Sequence, residues 1–551
     1  MTTCFERAGL GLAALSLAAA LHAAPARADD ARDRALATIT GDAILGDIRE
    51  LSSDDYQGRM PGTRGEEKTL TYLTGRLKTL RVAPAPGGYL QWVPLIEKTP
   101  LPATKLLIGD RRLALGDDII IKTTGTKDRI SVAGSELVFV GYGISAPEIG
   151  WNDYAGVDVK GKTVVMLMGD PPGEADSLYF RGRPLTQYGY GLFKAETAAR
   201  LGARGMITIH DQKVIGYPWS AIAAQVLRPY FERVPDKQSP KMPEIRLTMA
   251  HEAAADVMAR AGQDLAALEA AAAKKGFTAR PLGVSLNGDV ALAVKNRPSS
   301  NVVAWIKGSE RPDEYIVYSA HWDHVGIGAP VNGDSIYNGA VDNASGTACL
   351  LALARAYASL PKPPSRSIVF LATTAEEQGL LGAYHYADHP VFPLQRTMAN
   401  INMDALFPYG PYDAMTIVGM GNSELEDYMS AACAQFGRKL MPDPTPEYGA
   451  FFRSDHYPFA RKGVPAIFGV GGPLDPAPPG IQAKLDDYLK NKYHRPSDEV
   501  QADWDMRGVT DDVKIYFLTG YAIANDARVP NWYFTSEFRA ICDRMRASAA
   551  P

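Results

Sequence analysis

Cysteine is scarce in this chain, with only four among 551 residues. Cys4 lies in an N-terminal segment that is predicted to be removed, which leaves Cys349, Cys433 and Cys542. An odd and small number of cysteines excludes a disulfide scaffold and allows at most one bridge. Cys349 lies in an apolar helical run, so we expect it to be a small buried hydrophobic residue.

A large excess of charge of one sign is also lacking, since 58 basic and 62 acidic side chains give a formal net charge of −4. No block of lysine and arginine alternates with aromatic residues, so nothing points to a nucleic-acid partner. Beyond the N-terminal segment there is no long apolar run, and we expect no stable association with a membrane. The composition, 46% hydrophobic and 22% charged, is typical of a soluble globular protein.

The N-terminal segment has the features of a cleavable export signal. Arg7 supplies a positive charge, residues 10–21 are apolar, and Ala26-Arg27-Ala28 fits an A-x-A cleavage site. A membrane anchor is the alternative, but an apolar run of about a dozen residues is short against the roughly 20 that a bilayer requires. The sequence therefore predicts a signal peptide over residues 1–28, cleavage after Ala28, and a periplasmic or secreted protein.

The rest of the chain is too long for one ordinary core, so two or more domains are expected. Residues 29–100 begin with helical patterns, and residues 101–294 contain many short β-branched runs broken by glycine, proline and aspartate. From residue 295 to residue 551, strand and helix signals alternate, which is typical of an α/β fold. We therefore expect a compact β-rich module between two parts of different character.

Five side chains of the types that divalent metals favour lie at loop or strand ends in the C-terminal half: His321, Asp342, Glu377, Asp404 and His494. Two imidazoles and three carboxylates form the ligand set expected of two zinc ions bridged by one carboxylate. In open α/β sheets ligands collect at the carboxyl ends of the strands, so residues far apart in sequence can meet there. This set predicts metal-assisted hydrolysis.

Two more carboxylates have candidate catalytic roles. Asp323 can accept the second N–H of the His321 imidazole and fix the orientation of that ring. Glu376 directly precedes Glu377, so one of the pair can bind metal while the other accepts a proton from bound water. Plainer interpretations exist: Asp342 could begin a helix, and Glu376 and Glu377 could be a solvated loop pair. His456 also competes with His494 as a ligand, and spacing cannot rank the two.

Six short motifs resemble those of the M28 family of zinc peptidases, which includes bacterial aminopeptidases and glutamate carboxypeptidases. They are Ala-His-Trp-Asp-His (320–324), Asn-Gly-Ala-Val-Asp-Asn-Ala-Ser-Gly (338–346), Thr-Ala-Glu-Glu-Gln-Gly-Leu-Leu-Gly (374–382), Asn-Met-Asp (402–404), Ser-Asp-His-Tyr-Pro-Phe (454–459) and Tyr-His (493–494). Gly58-Arg59 and its flanking helices resemble the N-terminal segment of the family. The resemblance implies a zinc-peptidase fold with a mixed, mainly parallel sheet flanked by helices, built from residues 29–100 and 295–551.

The resemblance also implies which residue does what. One zinc ion is expected on His321, Asp342 and Asp404, and a second on Asp342, Glu377 and His494, so that Asp342 bridges the two ions. Glu376 becomes the general base, and Tyr493-His494 decides the ligand in favour of His494. Asp455 and His456 then become candidates for positioning substrate or bracing the site. Tyr493 becomes a candidate hydrogen-bond donor to the oxyanion.

The β-rich module resembles a protease-associated domain. Its matching motifs are Val-Phe-Val-Gly-Tyr-Gly-Ile (138–144), Trp-Asn-Asp-Tyr (151–154) and Asp-Val-Lys-Gly-Lys-Thr-Val-Val (158–165). Such a module sits beside the active-site cleft in the enzymes that it resembles. It could orient substrate or simply stabilise the fold, and the sequence favours neither.

The expected function is that of an exported aminopeptidase that hydrolyses N-terminal residues of peptides through a hydroxide held between two zinc ions. The nearest alternative is an exopeptidase of the glutamate-carboxypeptidase type, for which Arg453 could bind a terminal carboxylate. Glutaminyl cyclisation on one zinc ion is disfavoured by the full bridging set. A non-catalytic binding protein with a peptidase-like fold is disfavoured because neither the ligands nor the base is missing.

Overall fold

The computed structural model describes residues 28–172, 180, 182, 184–223, 226–474 and 478–548. The predicted export signal lies outside the described residues, apart from Ala28 itself. Among the helices of the described residues, none has both the length and the apolar character needed to cross a membrane.

The described residues contain fifteen α-helices and 23 β-strands. The helices are α1 (Ala28–Ala37), α2 (Gly41–Leu51), α3 (Arg64–Thr79), α4 (Gly191–Arg200), α5 (Gln212–Ile215), α6 (Trp219–Ala223), α7 (His251–Arg260), α8 (Leu265–Ala272), α9 (Gly346–Ala358), α10 (Leu381–Asp388), α11 (Leu425–Ala434), α12 (His456–Arg461), α13 (Pro479–Asp487), α14 (Arg507–Asn525) and α15 (Arg539–Ala547). The strands are β1 (Ala83–Pro84), β2 (Leu90–Val93), β3 (Leu95–Pro100), β4 (Lys105–Ile108), β5 (Arg111–Leu113), β6 (Ile119–Thr123), β7 (Arg129–Phe139), β8 (Ser145–Ala146), β9 (Trp151–Asn152), β10 (Thr163–Leu167), β11 (Gly205–Ile209), β12 (Tyr230–Arg233), β13 (Ile245–Met249), β14 (Arg280–Asn296), β15 (Ser299–Ile306), β16 (Arg311–His321), β17 (Gly326–Val331), β18 (Asp334–Tyr337), β19 (Arg366–Thr373), β20 (Thr397–Asn402), β21 (Ala414–Ile417), β22 (Lys439–Pro442) and β23 (Ala466–Gly472).

The larger part of the fold is a nine-stranded mixed sheet in the order β1-β15-β19-β16-β20-β23-β21-β22, with β2 also paired to β15. Its four central strands, β19, β16, β20 and β23, run parallel. Every residue of β19 is buried, which agrees with a parallel strand covered on both faces. Helices α9 and α14 contact these central strands, and α12 contacts β20 and β23. The predicted mixed α/β sheet flanked by helices is therefore confirmed; its parallel pairs lie among the central four strands and between β21 and β22.

A second, ten-stranded sheet follows the order β12-β3-β14-β7-β10-β11-β13-β6, with β4 and β5 attached beside β14. Its strands come from residues between Leu95 and Asn296, and one of its cores includes Leu106, Leu286 and Val290. Strand β3 lies just before the predicted module of 101–294, and strand β14 begins inside that module and ends after it. The division of the chain into domains stays a prediction, as does the comparison of this module with a protease-associated domain.

The carboxyl ends of three neighbouring parallel strands meet at one edge of the larger sheet. His321, the last residue of β16, lies opposite Thr373, the last residue of β19. On the other side of β16, Ser319 lies opposite Asn402, the last residue of β20. The loops that follow these three strands therefore leave the sheet side by side, and the candidate site is built there.

Candidate metal centre

Two groups of three metal-binding side chains share one carboxylate. In the first group, called site A, Nε2 of His321 lies 3.3 Å from Oδ1 of Asp342 and 3.2 Å from Oδ1 of Asp404. In the second group, called site B, Nε2 of His494 lies 3.0 Å from Oδ2 of Asp342 and 3.1 Å from Oε2 of Glu377. Asp342 thus directs one oxygen to each group. The structure brings all five predicted ligands together.

The spacing of these atoms fits a metal ion in each group. Two ligands about 2.1 Å from a tetrahedral zinc ion lie about 3.4 Å from each other. The nitrogen–oxygen separations of 3.0–3.3 Å in sites A and B are close to that value. Three carboxylates buried or partly buried around two imidazoles also require positive charge nearby, which a pair of dications supplies. The residues present therefore fit a dinuclear metal centre.

The segment that carries Asp342 is held by another buried carboxylate, Asp498. Its side chain accepts hydrogen bonds from the backbone N–H of Val341 at 2.9 Å and of Asp342 at 3.1 Å. It also accepts one from the hydroxyl of Tyr488 at 3.1 Å. Helix α9 begins only at Gly346, so Asp342 does not cap it and its carboxylate is available to both sites.

The second nitrogen of His321 is closer to a carbonyl than to a carboxylate. Its Nδ1 lies 3.1 Å from the backbone oxygen of Asp323 but 3.8 Å from the Oδ1 atom of the same residue. That Oδ1 instead accepts a hydrogen bond of 3.0 Å from the backbone N–H of Glu376. Burial raises the pKa of Asp323 to about 8. In this geometry the Asp323 carboxylate anchors the loop of the predicted base, while its carbonyl orients the imidazole.

Glu376 lies beside site A without belonging to either group of three. Its Oε2 is 3.9 Å from Nε2 of His321, and its side chain is 11% exposed. Burial raises the pKa of Glu376 well above its usual range; His321 opposes this rise, and the carboxylates of Asp404 and Glu377 add to it. In Glu377 burial acts the same way, but the imidazoles of His494 and His324 together outweigh it, and the pKa falls below the usual range. The adjacent pair thus has one carboxylate that holds a proton readily and one that does not.

The remaining predicted residues lie around this centre in different ways. His456 is fully buried, with its ring 4.6 Å from that of Phe451 and 5.4 Å from that of Phe468, and burial lowers its pKa to about 3. Asp455 accepts a hydrogen bond from the hydroxyl of Thr373. The ring of Tyr493 stacks on the imidazole of His494 with centroids 3.9 Å apart. His456 therefore packs in an aromatic core and is not one of the side chains that form site B.

Sequence reasoning gave no role to three residues of the centre: Arg59, Asp498 and His324. Arg59 is buried and donates four hydrogen bonds to backbone carbonyls, among them those of Trp322 and Gly339. His324 is buried with its Nδ1 2.7 Å from Oε1 of Glu377. Arg59 and His324 lie inside motifs that were recognised, so position in a motif was the only available signal. Asp498 had no signal beyond being close to His494 in sequence.

Sites A and B lie at the carboxyl edge of an α/β sheet and share the carboxylate of Asp342. This arrangement is that of a protein with a dinuclear metal centre. Comparison with known families then narrows this class: residues 301–518 match the model of peptidase family M28. All five predicted ligands fall inside the matched segment.

Similarity to individual proteins is local in sequence and broader in fold. The chain is 38% identical to the mouse (Mus musculus) aminopeptidase NAALADL1 over 129 residues, which cover 22% of this chain and 16% of that protein. It is 30% identical to the aminopeptidase YwaD of Bacillus subtilis over 217 residues, which cover 38% of this chain and 41% of that protein. The match therefore spans less than half the length of these curated relatives. An aminopeptidase structure from Aneurinibacillus sp. strain AM-1 aligns over 90% of this chain and 97% of that one, at 20% identity and a TM-score of 0.50, and supports the fold.

Proposed function

We propose that this chain is a di-zinc aminopeptidase that removes N-terminal residues from peptides. The observation that carries the proposal is the orientation of Asp342, whose Oδ1 faces His321 of site A while its Oδ2 faces His494 of site B. A carboxylate shared in this way can bridge the two ions of a two-metal hydrolytic centre. His321, Asp342 and Asp404 would hold one zinc ion, and Asp342, Glu377 and His494 the other.

The residues of the chain would divide the reaction as follows. When bound, the zinc ions supply a nucleophilic water at neutral pH and positive charge at the scissile carbonyl. Glu376 accepts the proton of the attacking water and delivers it to the leaving amine, a role that its raised pKa favours. Asp323 fixes the Glu376 backbone through the hydrogen bond of 3.0 Å, and so positions the base. Tyr493, stacked on His494, is proposed as a hydrogen-bond donor to the oxyanion.

A carboxypeptidase is the second candidate, because an exposed cation lies near the same centre. Arg453 is exposed and forms a side-chain hydrogen bond with Tyr217. The charges of Tyr493 and Glu376 also act on its guanidinium. No ion pair within the described residues includes Arg453. A guanidinium that is in no ion pair could bind the terminal carboxylate of a peptide.

One substrate panel separates the two candidates. The full chain is incubated with short peptides that have a free amine, a blocked amine or an amidated C-terminus, each with and without a zinc chelator. Cleavage that requires the free amine, tolerates amidation and stops with chelator supports the aminopeptidase. Cleavage of amine-blocked peptides that requires a free C-terminus would instead establish the carboxypeptidase, and chelator-resistant cleavage would refute both. The export of the protein stays a prediction that rests on residues 1–28.

A further inference from the structure

His324 is a buried histidine with no assigned role, three residues after the site A ligand His321. Its side chain is fully buried, and neither of its ring nitrogens has a well-aligned hydrogen-bond partner among the described residues. Its Nδ1 lies 2.7 Å from Oε1 of Glu377, an oxygen that is also buried without a well-aligned partner. Two buried polar atoms this close are costly unless they interact with each other or with a metal ion.

His324, Asp342 and Glu377 also offer ligand atoms close enough to hold one metal ion, but the separation of His324 and Glu377 favours a direct contact between them. Two ligands of one tetrahedral zinc ion are about 3.4 Å apart, and the ligand pairs of sites A and B lie at 3.0–3.3 Å. The 2.7 Å between Nδ1 of His324 and Oε1 of Glu377 is shorter than all of them and equals the donor–acceptor distance of a charge-assisted N–H···O bond, although the N–H is not well aligned with the oxygen. The two oxygens of Glu377 are thus divided: Oε2 faces His494, and Oε1 faces His324.

The surroundings of His324 leave its ring little freedom. Gly339, with a φ of +58°, passes so close that a Cβ atom there would lie 2.5 Å from Cγ of His324. On another side, the ring of His494 stands edge-on to that of His324, with centroids 5.6 Å apart. A ring confined in this way can fix the rotation of the Glu377 carboxylate.

We propose that His324 is a positioning residue for site B. Its Nδ1 keeps Oε1 of Glu377 at 2.7 Å and so holds Oε2 toward His494 and Asp342. This inference rests on the proposed function, since it concerns a ligand of the proposed second zinc ion. It gives His324 no place in the coordination of that ion.

The test measures zinc affinity, independently of activity. The full chain is stripped of metal and titrated with Zn²⁺ in competition with a chelator, and bound zinc is counted by native mass spectrometry. His324→Phe and His324→Leu should each weaken one of the two binding steps by about 10–100-fold, as expected when a partner of a ligand is lost. His324→Asn should restore most of that affinity, because the amide nitrogen of asparagine occupies nearly the position of Nδ1. His494→Ala identifies the step that belongs to site B, and His385→Asn, at a buried histidine on α10, is the matched control.

Three results would overturn the inference or its basis. If His324→Asn loses the site B ion as completely as His494→Ala, then His324 is a ligand and the positioning role is wrong. Equal affinities in wild type, His324→Phe and His324→Leu would remove the role altogether. A wild-type chain that binds fewer than two zinc ions would refute the proposed function itself, a result distinct from the other two.

Discussion

Replacing Arg59 by lysine should weaken both the fold and the metal centre, because this side chain joins the two loops that carry site A. Arg59 is 1% exposed. Its Nε donates to the carbonyl of Trp322 at 2.8 Å, and Nη2 donates to that of Gly339 at 2.8 Å. Its Nη1 donates to the carbonyls of Leu51 at 2.7 Å and Asn338 at 2.6 Å. The guanidinium therefore ties α2 to the segments next to His321 and Asp342.

The size of the effect follows from these four bonds. Lysine keeps the positive charge but donates from a single nitrogen, which cannot reproduce a fork aimed at four carbonyls. We expect two of the carbonyls to lose their donor, at about 1–3 kcal/mol each, or about 2–6 kcal/mol in all. Because the charge is retained, any fall in zinc affinity reports lost positioning of the ligand loops, and about 10–100-fold is expected.

Arg366 offers a matched control at the opposite end of the sheet. It is also buried, and it donates to Glu314 and to the carbonyls of Ile523, Asp526 and Arg528. It begins β19, seven residues before Thr373, so at about 3.3 Å per residue it lies about 23 Å from the site edge. Arg366→Lys should lower the free energy of unfolding comparably and leave zinc affinity unchanged.

The assays are urea unfolding of the metal-free full chain and zinc titration of both variants. The reasoning is refuted if the free energy of unfolding of Arg59→Lys lies within about 0.5 kcal/mol of the wild-type value. So small a change is typical of a surface substitution and not of the loss of buried hydrogen bonds. It is also refuted if Arg366→Lys weakens zinc binding as much as Arg59→Lys. Zinc affinity would then follow the stability of the whole fold and would not depend on the hydrogen bonds of Arg59 to the ligand loops.

Three further substitutions test the proposed roles. Glu376→Gln should keep two zinc ions per chain by native mass spectrometry and lose about 10²–10⁴-fold in turnover. A wild-type rate would refute the assignment of Glu376 as the base. Asp342→Ala should lose both zinc ions because both sites use its oxygens, so full occupancy in a metal assay would contradict the bridging role. His456→Ala should leave zinc content unchanged while lowering the free energy of unfolding by about 2–4 kcal/mol, since it opens a cavity beside Phe451 and Phe468; zinc loss would reverse the choice of ligand.

The central strands of the larger sheet were predictable because burial on both faces leaves a continuous apolar run. Ser367–Leu371 and Ala466–Val470 are such runs, and both lie within observed strands. The short strands β1 and β2 were not predicted. They contain two and four residues, too few for any alternation to be recognised, and they pair with β15 more than 200 positions away in sequence. Such pairing depends on the finished sheet and not on a local pattern.

The residue types of the centre were predictable, but their orientations were not. The order of motifs placed Asp342 between two imidazoles, yet only the structure reveals that Oδ1 and Oδ2 face different partners. The pair His321 and Asp323 suggested a carboxylate–imidazole bond, whereas the carbonyl of Asp323 is the nearer acceptor. A sequence specifies which groups are available, while the turn after β16 decides which atom of Asp323 faces the ring.

The β-rich module cannot be treated as independent of the centre, because one of its strands touches the loop of the base. The backbone N–H of Phe231, in β12, lies 3.3 Å from Oε1 of Gln378, the residue after Glu377. The side chain of Phe231 shares a small apolar core with Ala375, the residue before Glu376. Glu376 and Glu377 are therefore flanked on both sides by contacts to a strand about 145 residues earlier in the sequence. A buried N–H must keep an acceptor, so a substitution that shifts β12 will also shift the loop that carries the base and a ligand of site B.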